Sequence, residues 1–228
     1  MDYLLGRITG GQSVRDQAII CAVPIQRATL LLGDCLGLYL PTLIQWESCD
    51  ACEGKRVYGD YRVGYAHAQD NGLVAQIVGL YAFGRGLRFK SLVNVSLRRT
   101  GRQEAQPDLA YYLGEGVTLP VRSNSPMDLD RYAPPDLTIE IAATSLEDDL
   151  TVKRELYADL GAREYWVVDT DTVQVWMFAG DVDKGLLEPV DASRVLPGLS
   201  STILAEALRL GQSEGDAAAM RYVLGLKG

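Results

Sequence analysis

PPDLTIEIAATSLEDDLTVKRELYADLGAREYWVVD, residues 134–169, is the stretch whose reading decides the fold. Its first part alternates: Leu137, Ile139 and Ile141 point one way, and Asp136, Thr138, Glu140 and Ala142 the other, the period of two expected of a strand. Ser145 then stands as a candidate N-cap, and Glu147, Asp148 and Asp149 load a first helical turn with acids. Gly161 follows as a C-terminal stop, so one helix is predicted between them. EYWVVD (164–169) is a second strand. It pairs as a hairpin with VQVWMF (173–178) across a short Thr-Asp-Thr turn.

Working outward, Asp108–Leu113 and an alternating run over Phe89–Leu97 add two strands. Before them, Asn71–Phe83 is an apolar helix stopped by Gly84 and Gly86, and strand-like pieces lie around 56–58 and 61–65. Beyond the hairpin, Ala205–Leu224 is a helix predicted to break near Gly211 and Gly215. The order predicts an α/β fold with a central mixed β-sheet flanked by helices. It divides the chain into an N-terminal extension (1–41), a main domain (42–200) and a C-terminal helical tail (201–228).

Composition narrows the class. With 228 residues, 47% hydrophobic and 23% charged, the chain is that of a globular protein able to bury one sizeable core. No apolar run reaches the ~20 residues of a membrane span, and four scattered cysteines read as reduced thiols, so a cytoplasmic location is expected. Net charge is −8 and the pI about 4.7, awkward for a nucleic-acid binder. Between residues 85 and 103, however, Arg85, Arg88, Lys90, Arg98, Arg99 and Arg102 stand without one acid. They are read either as a solvated strand face or as contacts to phosphates.

The chemistry centres on Lys153. On a helical wheel it falls in the middle of the apolar arc of Leu146, Leu150, Val152, Leu156, Tyr157 and Leu160. A lysine facing a core needs a partner. It either snorkels to an edge, pairs with Asp149 one turn earlier, or enters a polar site. Glu140, between two isoleucines inside a strand, faces the same problem. Asp136 shares its face but stands about 13 Å away at ~3.3 Å per residue, too far to share one ion, which leaves Asp136 a supporting place. Asp108, opening a neighbouring strand ~4.8 Å away, is the natural second carboxylate. Two carboxylates with a carbonyl and waters suit Mg²⁺, with Mn²⁺ as a substitute. Such an ion polarises a phosphodiester, while Lys153 steadies the attacking water or the charge on phosphorus.

QPDLAYYL (106–113), PPDLTIEIAATS (134–145) and DDLTVKRELYADLGAREYWVVD (148–169) resemble the Uma-two family, assigned to the PD-(D/E)XK nuclease superfamily. The resemblance covers roughly residues 42–200. It implies a restriction-endonuclease-like fold, Asp108 and Glu140 as metal ligands, and a lysine moved from the place of Ala142 to Lys153 on the following helix. The implied partner is nucleic acid, DNA before RNA, and no membrane. A homodimer would join two basic patches into a longer groove. Many relatives carry a histidine where this chain has Asp70; the one histidine, His67, lies three residues earlier.

Other signals are weaker. Cys49-Asp-Ala-Cys52 has zinc-knuckle spacing but no second pair of ligands. His67 has no partnering motif and reads as a surface or loop residue. Trp166 and Trp176 read as core. Three functions therefore stand: a Mg²⁺-dependent endonuclease, a nuclease-fold module that binds or assembles without chemistry, and a two-carboxylate sugar hydrolase that needs no metal.

Overall fold

The computed structural model of the protein describes residues 57–58, 63–100, 103–115, 121–181 and 185–226. Expectations for residues 1–56, including all four cysteines, lie outside the described residues. The chain divides into two compact units, Met1–Arg62 and Val63–Gly228. Only the two-residue strand Val57–Tyr58 is described in the first. Everything below belongs to the second.

That unit runs α1 (Tyr65–Gly84), β1 (Phe89–Val93), β2 (Leu97–Arg99), β3 (Gln103–Ala105), β4 (Leu109–Leu113), β5 (Met127–Asp128) and β6 (Leu137–Ala142). It continues with α2 (Leu146–Leu150), α3 (Val152–Leu160), β7 (Glu164–Asp169), β8 (Val175–Asp181), β9 (Leu186–Val190), α4 (Ser201–Glu214) and α5 (Asp216–Gly225). The main sheet has six strands in the order β9-β8-β7-β6-β4-β1. β6 and β7 pair in parallel, Glu140 opposite Val167, and the other neighbours are antiparallel. In a smaller sheet β2 pairs antiparallel with β3 and parallel with β5. The expected mixed sheet flanked by helices is the one observed.

The alternation read in residues 136–142 is what splits the sheet into two differently covered faces. Leu137, Ile139 and Ile141 join Leu109, Tyr111, Trp166, Val168 and Met177 in one core. Leu73, Ile77 and Tyr81 of α1 and Leu204, Leu208 and Val223 of α4 and α5 cover it. The opposite face, which carries Thr138 and Glu140, meets α3: Tyr157 stacks on Tyr165, and Tyr165 on Phe178. β6 and β7 are buried along their whole length, as central strands covered on both faces must be.

Several local differences from the expected elements stand beside this agreement. The helix predicted from Ser145 to Gly161 is two helices, because Thr151 leaves helical geometry (φ −119°, ψ −87°). Its hydroxyl donates to the Glu147 carbonyl four residues back, a bond that competes with the helical ladder. Ser145 makes no cap and donates instead to the Asp149 carboxylate. The strand predicted over Phe89–Leu97 breaks at Asn94, whose φ of 50° is a left-handed turn that asparagine tolerates. Helix α1 begins six residues before the expected Asn71, at Tyr65.

A further difference concerns the C-terminal residues. They form no separate tail, since the core includes side chains of both α4 and α5. Their helical break falls only at Gly215; Gly211 is buried inside α4. A Cβ at 211 would lie 2.2 Å from Cδ2 of Leu73, itself wholly buried on α1, so glycine permits this close approach. Gly211→Ala is expected to destabilise the protein by about 1–3 kcal/mol, the usual range for overpacking. Urea unfolding checks this, and an unchanged midpoint would show that Leu73 has room to move. Among the described residues no helix is long and apolar enough to cross a membrane.

Candidate active site

The site lies on the α3 face of the sheet, where β4, β6, α2, α3 and the start of α1 meet. β4 and β6 pair Leu109 with Ile139, so the next register position sets Asp108 beside Glu140 on the same face. The Ile141 amide donates to Oδ2 of Asp108 at 2.8 Å, which fixes that carboxylate against β6. Glu140 is buried. Its Oε1 accepts from the Tyr157 hydroxyl at 2.6 Å, and its Oε2 lies 3.4 Å from Nζ of Lys153.

Lys153, only 6% exposed, does not snorkel. Its Nζ lies 2.7 Å from Oδ1 of Asp149, which is fully buried one turn earlier. The pairing with Asp149 and the polar site, alternatives in the sequence, therefore coexist. The break at Thr151 leaves Leu146, Leu150 and Val152 only half-buried, and the inward face belongs to Asp149, Lys153, Leu156, Tyr157 and Leu160.

Electrostatics follow from crowding. Burial pushes the Glu140 carboxyl up to about 8; Asp108 and Asp149 add to the rise, while Lys153 and the Tyr157 hydroxyl oppose it. Burial works against the Lys153 ammonium, but Glu140, Asp149 and Asp108 together hold its pKa above the ordinary lysine value. Three carboxylates thus face one ammonium.

Asp108 and Glu140 are the side chains here that could hold a metal ion. Among the described residues no three His, Cys, Asp or Glu side chains form a metal-holding group, so no closed cage exists. Mg²⁺ needs none: one or two carboxylates with waters completing an octahedron are its usual protein ligands. Asp108 and Glu140 supply two hard oxygen donors from adjacent strands.

Two members of the site were not legible as such. His67, expected on a surface or loop, is buried on α1 with Nε2 3.3 Å from Oδ2 of Asp108. Had α1 been started at Tyr65, the spacing of His67, Asp70, Val74 and Val78 would have put it on the inner face. Tyr157, read only as apolar, lies one turn beyond Lys153 and shares its face. Asp70 is buried three residues after His67, and both its oxygens accept from the Gln212 side chain of α4.

Asp136 stands apart from these side chains. Its carboxylate accepts from the Leu113 amide and from Arg163, both at 2.7 Å, tying together the far ends of three strands. The basic residues are dispersed as well. Arg85 stacks on the Tyr81 ring at 4.0 Å, Arg88 pairs with Glu115, and Arg98 pairs with Glu104 at 2.7 Å. Arg99 donates to the Asp159 and Leu160 carbonyls that end α3. Lys90 is exposed on β1 opposite Tyr112, four strand positions from Asp108, or about 13 Å. These residues form no single basic surface beside the acids.

A mixed six-stranded sheet with helices on both faces thus carries Asp108, Glu140 and an inward Lys153 together. The chain belongs to the Uma2 family, described as "Putative restriction endonuclease", whose profile matches residues 59–216. Among solved structures it is similar to that of "a putative nuclease belonging to DUF820" from Anabaena variabilis ATCC 29413. The two share 18% identity over 75% of this chain and 88% of that one, with a TM-score of 0.43. No curated protein matches the sequence.

Proposed function

We propose that the chain is a Mg²⁺-dependent endonuclease hydrolysing phosphodiester bonds of nucleic acid, DNA in the first instance. In this reading Asp108 and Glu140 hold the metal, and Lys153 meets the reacting group. The observation that carries it is the buried Lys153 ammonium, held by Asp149 and Glu140 beside a carboxylate from another strand. An ion pair kept dry for stability alone is a poor investment compared with apolar packing, whereas a fixed cation suits a place where negative charge develops.

Bound metal would polarise the phosphodiester and make a coordinated water more acidic. The chain's own residues do the rest. The Ile141 amide fixes Asp108, the Tyr157 hydroxyl fixes Glu140, and Asp149 fixes Lys153. An ammonium has three N–H donors, so with Asp149 and Glu140 as partners Lys153 keeps one for a phosphate oxygen or the incoming water.

Titration calorimetry with Mg²⁺ and Mn²⁺ tests the metal first. Binding to the native chain, abolished in Asp108→Ala, is expected; equal binding by both proteins would refute the assignment. Cleavage is then screened over DNA and RNA forms at low salt, since phosphate contacts weaken steeply as counterions rise. A second reading, a module that binds without chemistry, is favoured by the net charge of −8 and by the acids that pair Arg88 and Arg98. Metal binding without cleavage of any substrate form would support it.

A further inference from the structure

We infer that Tyr157 is a positioning residue that sets which divalent cation the site accepts, by reserving one oxygen of Glu140. The inference rests on the proposed metal site and concerns its selectivity. Oε1 of Glu140 accepts the Tyr157 hydroxyl at 2.6 Å, and only Oε2 is left facing Lys153 at 3.4 Å. The hydroxyl cannot turn away cheaply. Tyr157 is 1% exposed, and its ring is held on Tyr165 with centroids 4.8 Å apart. A hydrogen-bond donor released there would remain buried without a partner.

One lone pair of Oε1 is thereby taken, which favours binding of a cation through Oε2 alone over binding through both oxygens. Mg²⁺ takes six ligands in a strict octahedron at about 2.0–2.1 Å, a geometry met by single-oxygen carboxylates. Ca²⁺ is larger, takes six to eight oxygens at about 2.3–2.6 Å, and readily accepts both oxygens of one carboxylate. Engaging Oε1 therefore weakens the two-oxygen mode open to Ca²⁺ and leaves the one-oxygen mode of Mg²⁺ unaffected. Tyr157 acts through Glu140 and touches no reacting atom.

Calorimetry of the full chain with MgCl₂ and with CaCl₂ tests this in the native protein, Tyr157→Phe and Tyr165→Phe. Tyr157→Phe keeps the ring stack and removes one oxygen. Its ratio of Kd for Ca²⁺ to Kd for Mg²⁺ should fall by about tenfold, through tighter Ca²⁺ binding. The ratio is the informative quantity. Loosened packing, or a changed protonation of Glu140, weakens both ions together and leaves it unmoved. Tyr165→Phe, which loses a hydroxyl bonded to the Asp149 carbonyl, should keep the native ratio. Tyr157→Met, which also lacks the hydroxyl, should repeat the shift should the Phe variant fold poorly. An unchanged ratio in the Tyr157 variants, or the same shift in Tyr165→Phe, overturns the inference while leaving the metal site standing. A native chain that binds neither ion overturns both.

Discussion

Glu140→Gln is expected to lower the rate of phosphodiester cleavage by about 10²–10³-fold, the scale of removing one group that stabilises developing charge. The substitution is close to isosteric. A glutamine carbonyl at the same place can still accept from Tyr157, and Lys153 keeps Asp149 at 2.7 Å. What disappears is the negative charge that a divalent ion needs between β4 and β6. The variant should therefore fold and melt much as the native protein does while its Mg²⁺ binding weakens. Initial rates on the best substrate from the screen, with Mg²⁺ at saturating and limiting concentrations, measure the effect. Native rates in this variant would end the enzymatic reading and leave only the scaffold.

The second large effect is on stability. Lys153→Met keeps the length and apolar stem of the side chain but leaves Glu140 and Asp149 buried together without their cation. Breaking one partner out of a buried pair typically costs about 3–5 kcal/mol. Denaturant unfolding in EDTA should show a loss of that order. The loss should also depend on pH, with a definite sign. The folded protein already holds the Glu140 carboxyl up at about 8, mainly through burial, and removing Lys153 takes away the chief influence that lowers it. A carboxyl whose pKa is higher folded than unfolded favours the folded state at low pH and loses that advantage as pH rises. The penalty in Lys153→Met should accordingly be smallest in acid and grow towards pH 8 and above. A loss under about 1 kcal/mol across that range would mean that water reaches the acids.

How much of this was legible in the sequence follows from the distance over which each signal acts. The alternation of 137–142 and the inward place of Lys153 are local, set by backbone periodicity, and they located two of the site's side chains. The pairing of β4 with β6 needed only adjacent strands, and it brought Asp108 to Glu140. The acidic partners of the basic residues were hidden for the opposite reason. No acid lies between residues 85 and 103, but Glu104 stands just outside that window and Glu115 well beyond it. Strand pairing carries them back onto Arg98 and Arg88. The break at Thr151 was hidden because a side chain's bond to its own helix leaves no trace in hydrophobic periodicity. His67 was missed because its partner is 41 positions away in sequence and reaches it only through the folded sheet.

One feature of α1 bears on how the protein can be dissected. The same helix carries His67 against Asp108 at one end, and further along it rests on α4 through Leu73 against Gly211 and Asp70 against Gln212. The last helices thus act as a brace for the helix that bears His67 against Asp108. A fragment ended at residue 200 would strip the cover from Leu73, Ile77 and Tyr81 and free α1 to slide off Asp108. Expression trials aimed at the shortest competent piece should keep the chain through residue 225, and a fragment lacking the brace should aggregate rather than bind metal weakly.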